Sequence, residues 1–230
     1  MPVVPLVLSL AHVHPAVRTP VPALAELAGW LAGGIGIVTG WPQAWRLWVG
    51  RRHEGLSLTS NVLGVLYATA WLLYGVAQHS TVQVVTNIVG LAVLVSILVA
   101  HISLSRATAQ QWLPLLVAGL AMLATMYEVG ARPLGLTAAV ATIVGVAPQV
   151  VLLARARSAT GGDASGVSRP RWMMSCVANL LWVAYGTLAH DPVIFFNSMI
   201  IAAFGAAIVY LAADRTVELG IPEPEYAIAA

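Results

Sequence analysis

Two tryptophans and two asparagines are the residues of this chain best suited to bind a small solute. Trp71 and Trp182 each open a W-x-x-Y-G motif, and Asn87 and Asn197 follow them by 16 and 15 residues. A tryptophan face offers flat apolar area to the C–H side of a saturated ring, and an asparagine amide offers donors and an acceptor to neighbouring hydroxyls. The pattern predicts a site for a neutral polyol.

The composition indicates which elements must position these residues. The chain has 230 residues, of which 59% are apolar and only 9% charged, and its mean hydropathy is +0.85. A soluble domain is about 45–50% apolar and about 25% charged. We therefore expect an integral membrane protein with no room for a soluble catalytic or ATPase domain. The single cysteine excludes an internal disulfide and a multi-cysteine metal site.

Uncharged stretches predict seven transmembrane helices of about 20 residues each, a length that suits a ~30 Å hydrocarbon core. The predicted spans are 27–45, 57–77, 80–100, 107–127, 133–154, 170–189 and 192–213. The corresponding division is a loose N-terminal tail (1–22), a first three-helix repeat (23–106), a linker helix (107–130), a second three-helix repeat (131–214) and a cytoplasmic tail (215–230). A signal segment within 1–22 is the alternative to a loose tail.

Arginine placement predicts the orientation of the chain. The loops after the odd-numbered spans and the C-terminal tail carry nine arginines, whereas the other side carries only Arg18 and Arg132. Under the positive-inside rule, the N-terminus lies outside and the C-terminus lies in the cytoplasm. These scattered arginines form no face for nucleic acid.

An internal repeat relates spans one to three to spans five to seven. Besides the W-x-x-Y-G and asparagine matches, a Pro-Gln pair recurs at 42–43 and 148–149, and a Gly-x-Ser triplet recurs at 55–57 and 166–168. Both units begin on the same side of the membrane, so they are parallel repeats and the fourth span is an inversion helix. Such repeats share a site at their pseudo-two-fold axis.

Residues 27–213 resemble the PQ-loop superfamily, and most closely its SWEET and SemiSWEET sugar transporters. The resemblance rests on Pro-Gln in the first helix, W-x-x-Y-G in the second and asparagine in the third. It implies an all-α transmembrane bundle of seven helices (3+1+3) that facilitates passage of a mono- or disaccharide. It marks Trp71, Asn87, Trp182 and Asn197 as substrate-binding, and Pro42 and Pro148 as hinges. Leu56 and Val167 stand near positions where plant members carry a further proline.

Helix geometry places the four predicted binding residues in one layer, roughly 4–8 Å to the outer side of the midplane. Pro42 and Pro148 lie roughly 6–10 Å to the cytoplasmic side. Gln43 and Gln149 either brace the proline kinks or touch the solute. No predicted span contains an acidic or basic residue at this depth, which favours uncoupled transport.

Other residues near the layer have structural interpretations. Tyr74 and Tyr185 lie towards the outer interface, where a tyrosine is typical of the aromatic belt. Glycines in the helices predict close packing; they are Gly33, Gly36, Gly40, Gly64, Gly75 and Gly186.

The function most consistent with the sequence is an uncoupled carrier for a neutral sugar, working by alternating access. A proton-coupled amino-acid exporter, as among other Pro-Gln proteins, is one alternative. A non-transporting receptor or assembly factor is another. No enzyme motif, metal site or cofactor is predicted. The expected partners are the lipid bilayer and the sugar, with a possible homo-oligomer, and the expected location is the plasma membrane.

Overall fold

The structure is a computed structural model that describes residues 20–51, 57–158 and 169–212. In chain order, these residues form seven α-helices: α1 (Pro20–Trp48), α2 (Leu58–Ala77), α3 (Thr81–Ser105), α4 (Ala109–Val129), α5 (Ala131–Ser158), α6 (Arg169–Leu188) and α7 (Pro192–Leu211). The all-helical prediction is therefore confirmed. The interpretations of residues 1–19 and of the tail 215–230 lie outside the described residues.

The helices match the predicted spans, with longer ends than hydropathy suggested. α1, α3 and α5 are 29, 25 and 28 residues long, because each continues past the apolar stretch into a polar end. Six of the seven described helices are long and apolar enough to cross a membrane. α6 is not among them, since it begins at Arg169 and carries Arg171 on its first turn.

Six helices close into a ring in the order α1, α3, α2, α5, α7, α6, with α6 again contacting α1. Within each repeat the third helix lies between the first and second. The repeats meet along two interfaces, α1 with α6 and α2 with α5, and these are equivalent under the repeat. α4 packs outside the ring against α2 and α5, where it links the two halves.

Helices consecutive in the chain run antiparallel, and glycines set the spacing between helices. A Cβ added at Gly33 would clash with Thr86, and one added at Gly40 would approach Val93. The contact advances by seven residues in both helices, so α1 and α3 are parallel. Gly75 of α2 lies against the start of α3, where an added Cβ would be 2.8 Å from Gln83 Cβ. Small residues let membrane helices approach this closely.

The repeats share the same turn between their second and third helices. Ser80 caps α3 and Asp191 caps α7, the third helix of each repeat. The backbone N–H of each cap residue donates to the carbonyl of the glycine in W-x-x-Y-G, at 2.9 and 2.8 Å. The residue before each cap, His79 or His190, has a φ of 54°. We call the end of the bundle that carries residues 78–80 and 189–191 the short-turn end.

Contacts fix the alignment of α7 on α3. Gly75 lies against Val84 N, and Gly186 lies against Phe195 N. The offset between the repeats is therefore 111 residues here, and the caps Ser80 and Asp191 have the same offset. Under this alignment Asn87 corresponds to Ser198, whereas Asn197 corresponds to Thr86. The two asparagines thus lie one residue out of register, about 100° apart around their helices.

Replacing Gly186 by alanine is expected to destabilise the bundle. The added Cβ would lie 2.7 Å from Phe195 N and 3.1 Å from the Asp191 carbonyl, both backbone atoms. Overpacking of this kind costs about 1–3 kcal/mol. The apparent melting temperature in detergent, followed by size-exclusion chromatography after heating, should fall by several degrees. Gly34→Ala is the matched control because nothing lies within 4 Å of its added Cβ. Equal melting temperatures for both variants would contradict this packing of α6 on α7.

Candidate functional site

The predicted binding residues lie at one level between the repeats. Gly75 contacts Gln83 at the short-turn end, and Trp71 and Asn87 each lie four residues further from that contact, on antiparallel helices. Gly186 contacts Phe195 in the same way, so Trp182 and Asn197 lie within about one helical turn of one level. The structure therefore brings the four side chains into one layer of the ring.

Open space adjoins this layer. Gly36 lies between the two α1–α3 contacts at Gly33 and Gly40, and Gly90 lies at the corresponding place on α3. Nothing lies within 4 Å of a Cβ added at either Gly36 or Gly90. The packing role predicted for Gly36 is therefore wrong, whereas Gly33 and Gly75 do mediate close packing. The gap lies about one turn from Asn87, towards the end opposite the short turns.

The two asparagines differ in their hydrogen bonds. Asn87 Nδ2 donates to the Gln83 carbonyl at 2.8 Å, one turn back along α3. Asn197 is 8% exposed, and its Oδ1 is buried without a hydrogen-bond partner among the described residues. A buried acceptor left unpaired is costly and is uncommon in native structures. Asn197 is therefore the member of the layer most in need of a donor.

The two tryptophans also differ. Trp71 Nε1 donates across the repeat interface to Thr142 Oγ1 of α5 at 3.1 Å, and Thr142 in turn donates to the Ala138 carbonyl at 2.8 Å. The α1 residue equivalent to Thr142 is Gly36, which has no hydroxyl to offer Trp182. Trp71 is therefore tied to the other repeat, whereas the residue equivalent to its partner offers Trp182 no such bond.

Tyr74 and Tyr185 close the short-turn end. They are only 1% and 7% exposed, so the belt position predicted for them is wrong. Tyr74 OH donates to the Asp191 carboxylate of α7, with both oxygens at 2.9 Å, and accepts from Gln78 Nε2. Tyr185 OH lies 2.7 Å from Ser80 Oγ of α3. Each tyrosine thus binds the helix cap of the other repeat.

Glycines of the opposite repeat make room for the two tyrosine rings. A Cβ added at Gly135 of α5 would lie 2.5 Å from the Tyr74 ring, and one added at Gly29 of α1 would lie 2.8 Å from the Tyr185 ring. Gly29 and Gly135 are 106 residues apart, the same offset as Pro42 and Pro148. The shared offset of 106 residues would have identified Gly29 and Gly135 from the sequence, but they were not among the predicted residues. Asp191 was missed as well, although its repeat partner Ser80 marks it as a cap.

The aromatic pairs repeat this symmetry. Trp71 and Tyr74 are edge-to-face with ring centroids 5.7 Å apart, and Trp182 and Tyr185 are edge-to-face at 5.3 Å. Such pairs are favourable beyond the area that they bury. The tyrosines that close the short-turn end therefore also hold the tryptophan planes of the layer.

The predicted hinge residues lie away from the layer. Pro42 and Pro148 are interior residues of α1 and α5, and both prolines are exposed. Gln149 is partly buried, and Gln43 follows Pro42 within α1. Val144, Pro148 and Val151 line an open depression along one face of α5. Among the described residues, no group of three histidine, cysteine, aspartate or glutamate side chains could hold a metal ion.

Fold and site together define a seven-helix membrane bundle of 3+1+3 organisation with a polar and aromatic layer between two parallel repeats. This is the SWEET fold: a solved structure of a eukaryotic SWEET transporter, at 3.7 Å resolution, is similar to this chain with a TM-score of 0.65. The similarity covers 82% of this chain and 96% of that one, at 16% sequence identity. Neither a protein-family model nor a curated protein sequence matches the chain.

Asn197→Ala is expected to abolish or sharply reduce solute binding without lowering the stability of the solute-free protein. Its amide oxygen has no partner to lose, so the substitution removes a buried unpaired group. Asn87→Ala should weaken binding as well, but it also removes a hydrogen bond that contributes about 0.5–1.5 kcal/mol. The measurements are melting temperature in detergent and uptake in liposomes. Wild-type uptake by both variants would show that the asparagines are structural.

Proposed function

We propose that this protein is a carrier for facilitated, uncoupled transport of a neutral mono- or disaccharide across the plasma membrane. The observation that carries the proposal is the buried Asn197 amide oxygen, which has no partner among the described residues and lies in a layer with two tryptophans between the repeats of a SWEET fold. Sugar hydroxyls supply the donors that such an acceptor lacks, and the C–H faces of the ring suit indole. No reaction step or cofactor is part of this function.

The way in which the repeats meet supports alternating access as the transport mechanism. The cross-repeat hydrogen bonds of Trp71, Tyr74 and Tyr185 lie at the short-turn end or at the Trp71 level beside it. Rocking of the first repeat (23–106) against the second (131–214) would break them and open that end. The linker helix 107–130 keeps the repeats parallel. Pro42 and Pro148, with Gln43 and Gln149 beside them, are proposed as the joints.

The arginine distribution supports an orientation for this cycle. With the N-terminus outside and the C-terminus in the cytoplasm, the short-turn end faces outwards. The structure then corresponds to a conformation closed to the outside. The sugar would be contacted from opposite sides by the two repeats, through Trp71 and Asn87 of the first and Trp182 and Asn197 of the second.

A proton-coupled exporter is the main competing function, and Asp191 is the observation that favours it. This carboxylate is buried and bonded across the repeats. It lies at the short-turn end, however, about two turns from Asn197 rather than beside it. A non-transporting receptor would bind solute without moving it.

Uptake into liposomes tests the proposal directly. Purified protein should equilibrate radiolabelled glucose or sucrose across the membrane without accumulating either one. An imposed pH gradient should not raise the final level, because none of the described acidic, basic or histidine side chains lies in the layer of Trp71, Asn87, Trp182 and Asn197. Accumulation above equilibrium with a pH gradient would indicate the coupled exporter. Saturable binding without uptake of either sugar would indicate a receptor.

Tyr74→Phe should open the short-turn end more than Tyr185→Phe does. Both variants keep the ring that packs on glycine. The first leaves a buried carboxylate without its hydroxyl donor, whereas the second affects only neutral groups, the Ser80 hydroxyl and the Gln83 amide. Asp191 keeps the Ile194 N–H as a donor at 3.0 Å, but a buried charge that loses a donor is the costlier of the two.

The readout is the labelling rate of Gly90→Cys in a Cys176→Ala background, with an impermeant maleimide applied on the short-turn side. Gly90 suits the purpose because its Cβ position is open. We expect a several-fold faster reaction in Tyr74→Phe than in Tyr185→Phe. Equal labelling of the two variants would show that the carboxylate does not dominate the closure.

A further inference from the structure

Gln83 of α3 is a second buried amide with an unpaired oxygen. The side chain is 2% exposed. Its Nε2 donates to Tyr185 OH at 3.4 Å, while its Oε1 is buried and has no hydrogen-bond partner among the described residues. Because one end of the amide is held by the tyrosine, the other end stays fixed as an acceptor without a donor.

Gln83 lies between the short-turn closure and the binding layer. Its backbone carbonyl accepts from Asn87 Nδ2 at 2.8 Å, so the two residues are consecutive turns of one helix face. Asn197 supplies the other unpaired acceptor from the opposite repeat. The two unpaired oxygens therefore belong to facing repeats, within about one turn of the layer that contains both tryptophans.

Packing alone does not call for an amide at this position. The equivalent residue of the second repeat is Ile194, which is also buried and lies in the same first turn of its helix. An aliphatic side chain thus fills this place where the surrounding fold is the same. A glutamine that leaves an oxygen unpaired here is better explained by a ligand than by the bundle.

We propose that Gln83 is a further sugar-binding residue, whose Oε1 accepts a hydrogen bond from one hydroxyl of the bound sugar while its Nε2 remains on Tyr185. This inference rests on the proposed transport function and deepens it. Gln83 then determines which hydroxyl pattern is preferred, and it joins the occupied site to the tyrosine that closes the short-turn end. The second repeat has no counterpart, so the contact belongs to one side of the sugar.

The test compares Gln83→Leu with Gln78→Leu in proteoliposomes. Gln78 is the matched control, since its amide donates to Tyr74 OH at 2.9 Å yet is exposed rather than aimed into the layer. The readout is inhibition of radiolabelled glucose counterflow by glucose and by its 2-, 3-, 4- and 6-deoxy analogues. The wild type should bind one analogue about tenfold more weakly than glucose, which corresponds to about 1.4 kcal/mol.

In Gln83→Leu the affinity ratio between glucose and this analogue should fall to near one, because the protein group that bonds the missing hydroxyl is gone. The affinity ratios for the other analogues should persist. Gln78→Leu should keep the wild-type ratio even if its transport rate changes. Should the leucine variant fail to fold, Gln83→Met removes the amide at nearly the same length and carries the same expectation. Either variant can be checked by size-exclusion chromatography.

Three results would overturn the inference. A folded Gln83 variant with the wild-type ratio would mean that the oxygen holds a structural water or nothing. A wild type that does not distinguish any deoxy analogue from glucose would mean that no single hydroxyl is read. Loss of the ratio in Gln78→Leu would assign the effect to the tyrosine closure. Failure of the wild type to bind glucose or sucrose at all would instead remove the proposed function itself.

Discussion

The structure depends on an exchange of tyrosines between the two repeats. Tyr74 of the first repeat packs on Gly135 and binds Asp191, and Tyr185 of the second packs on Gly29 and lies against Ser80. Lipid tails are as apolar as helix surfaces, so packing and hydrogen bonds decide which helices associate in a membrane. These contacts supply both at once. Each tyrosine finds its helix cap and its packing glycine in the other repeat, so each repeat is completed by the other.

The geometry of the layer of tryptophans and asparagines follows from that exchange. Each tryptophan lies three residues before its tyrosine on the same helix and meets it edge to face. Fixing the tyrosine in the opposite repeat therefore fixes the indole plane. The glycine that follows each tyrosine sets how closely the third helix approaches, and this distance places Asn87 and Asn197. A shift of one repeat against the other would move all of these groups together.

Much of this arrangement could be predicted from the sequence. Charge-free stretches of about 20 residues indicate the helices, and the recurrence of W-x-x-Y-G indicates the repeat and the layer. The roles of Tyr74 and Tyr185 could not be predicted, because a tyrosine near a helix end has the same composition signal whether it faces lipid or a neighbouring helix. Hydropathy also cannot distinguish a glycine that packs against a neighbouring helix from one that faces open space. The sequence therefore predicts helix packing for Gly33 and Gly36 alike.

The alignment of Asn87 and Asn197 between the repeats could be determined from contacts in the structure but not from residue spacing in the sequence. The sequence shows only that Asn87 and Asn197 differ by one residue in their distance from the preceding tryptophan. An insertion in the turn and a rotation in the helix give the same count. The matched glycine contacts at Val84 and Phe195 place the difference inside the helix. Asp191 was hidden for a similar reason, since a residue just outside a span is usually assigned to a loop.

This one-residue displacement affects the number of ways in which a ligand can be bound. A pocket with perfect two-fold symmetry would accept an asymmetric molecule in two orientations of equal energy, related by a half-turn about the axis. Here the half-turn exchanges Asn197 with Thr86, Gln83 with Ile194 and Thr142 with Gly36. None of these pairs is chemically alike, so the two orientations no longer have the same energy. The duplicated architecture thereby presents an asymmetric surface, which favours one orientation of any ligand bound at the pseudo-two-fold axis.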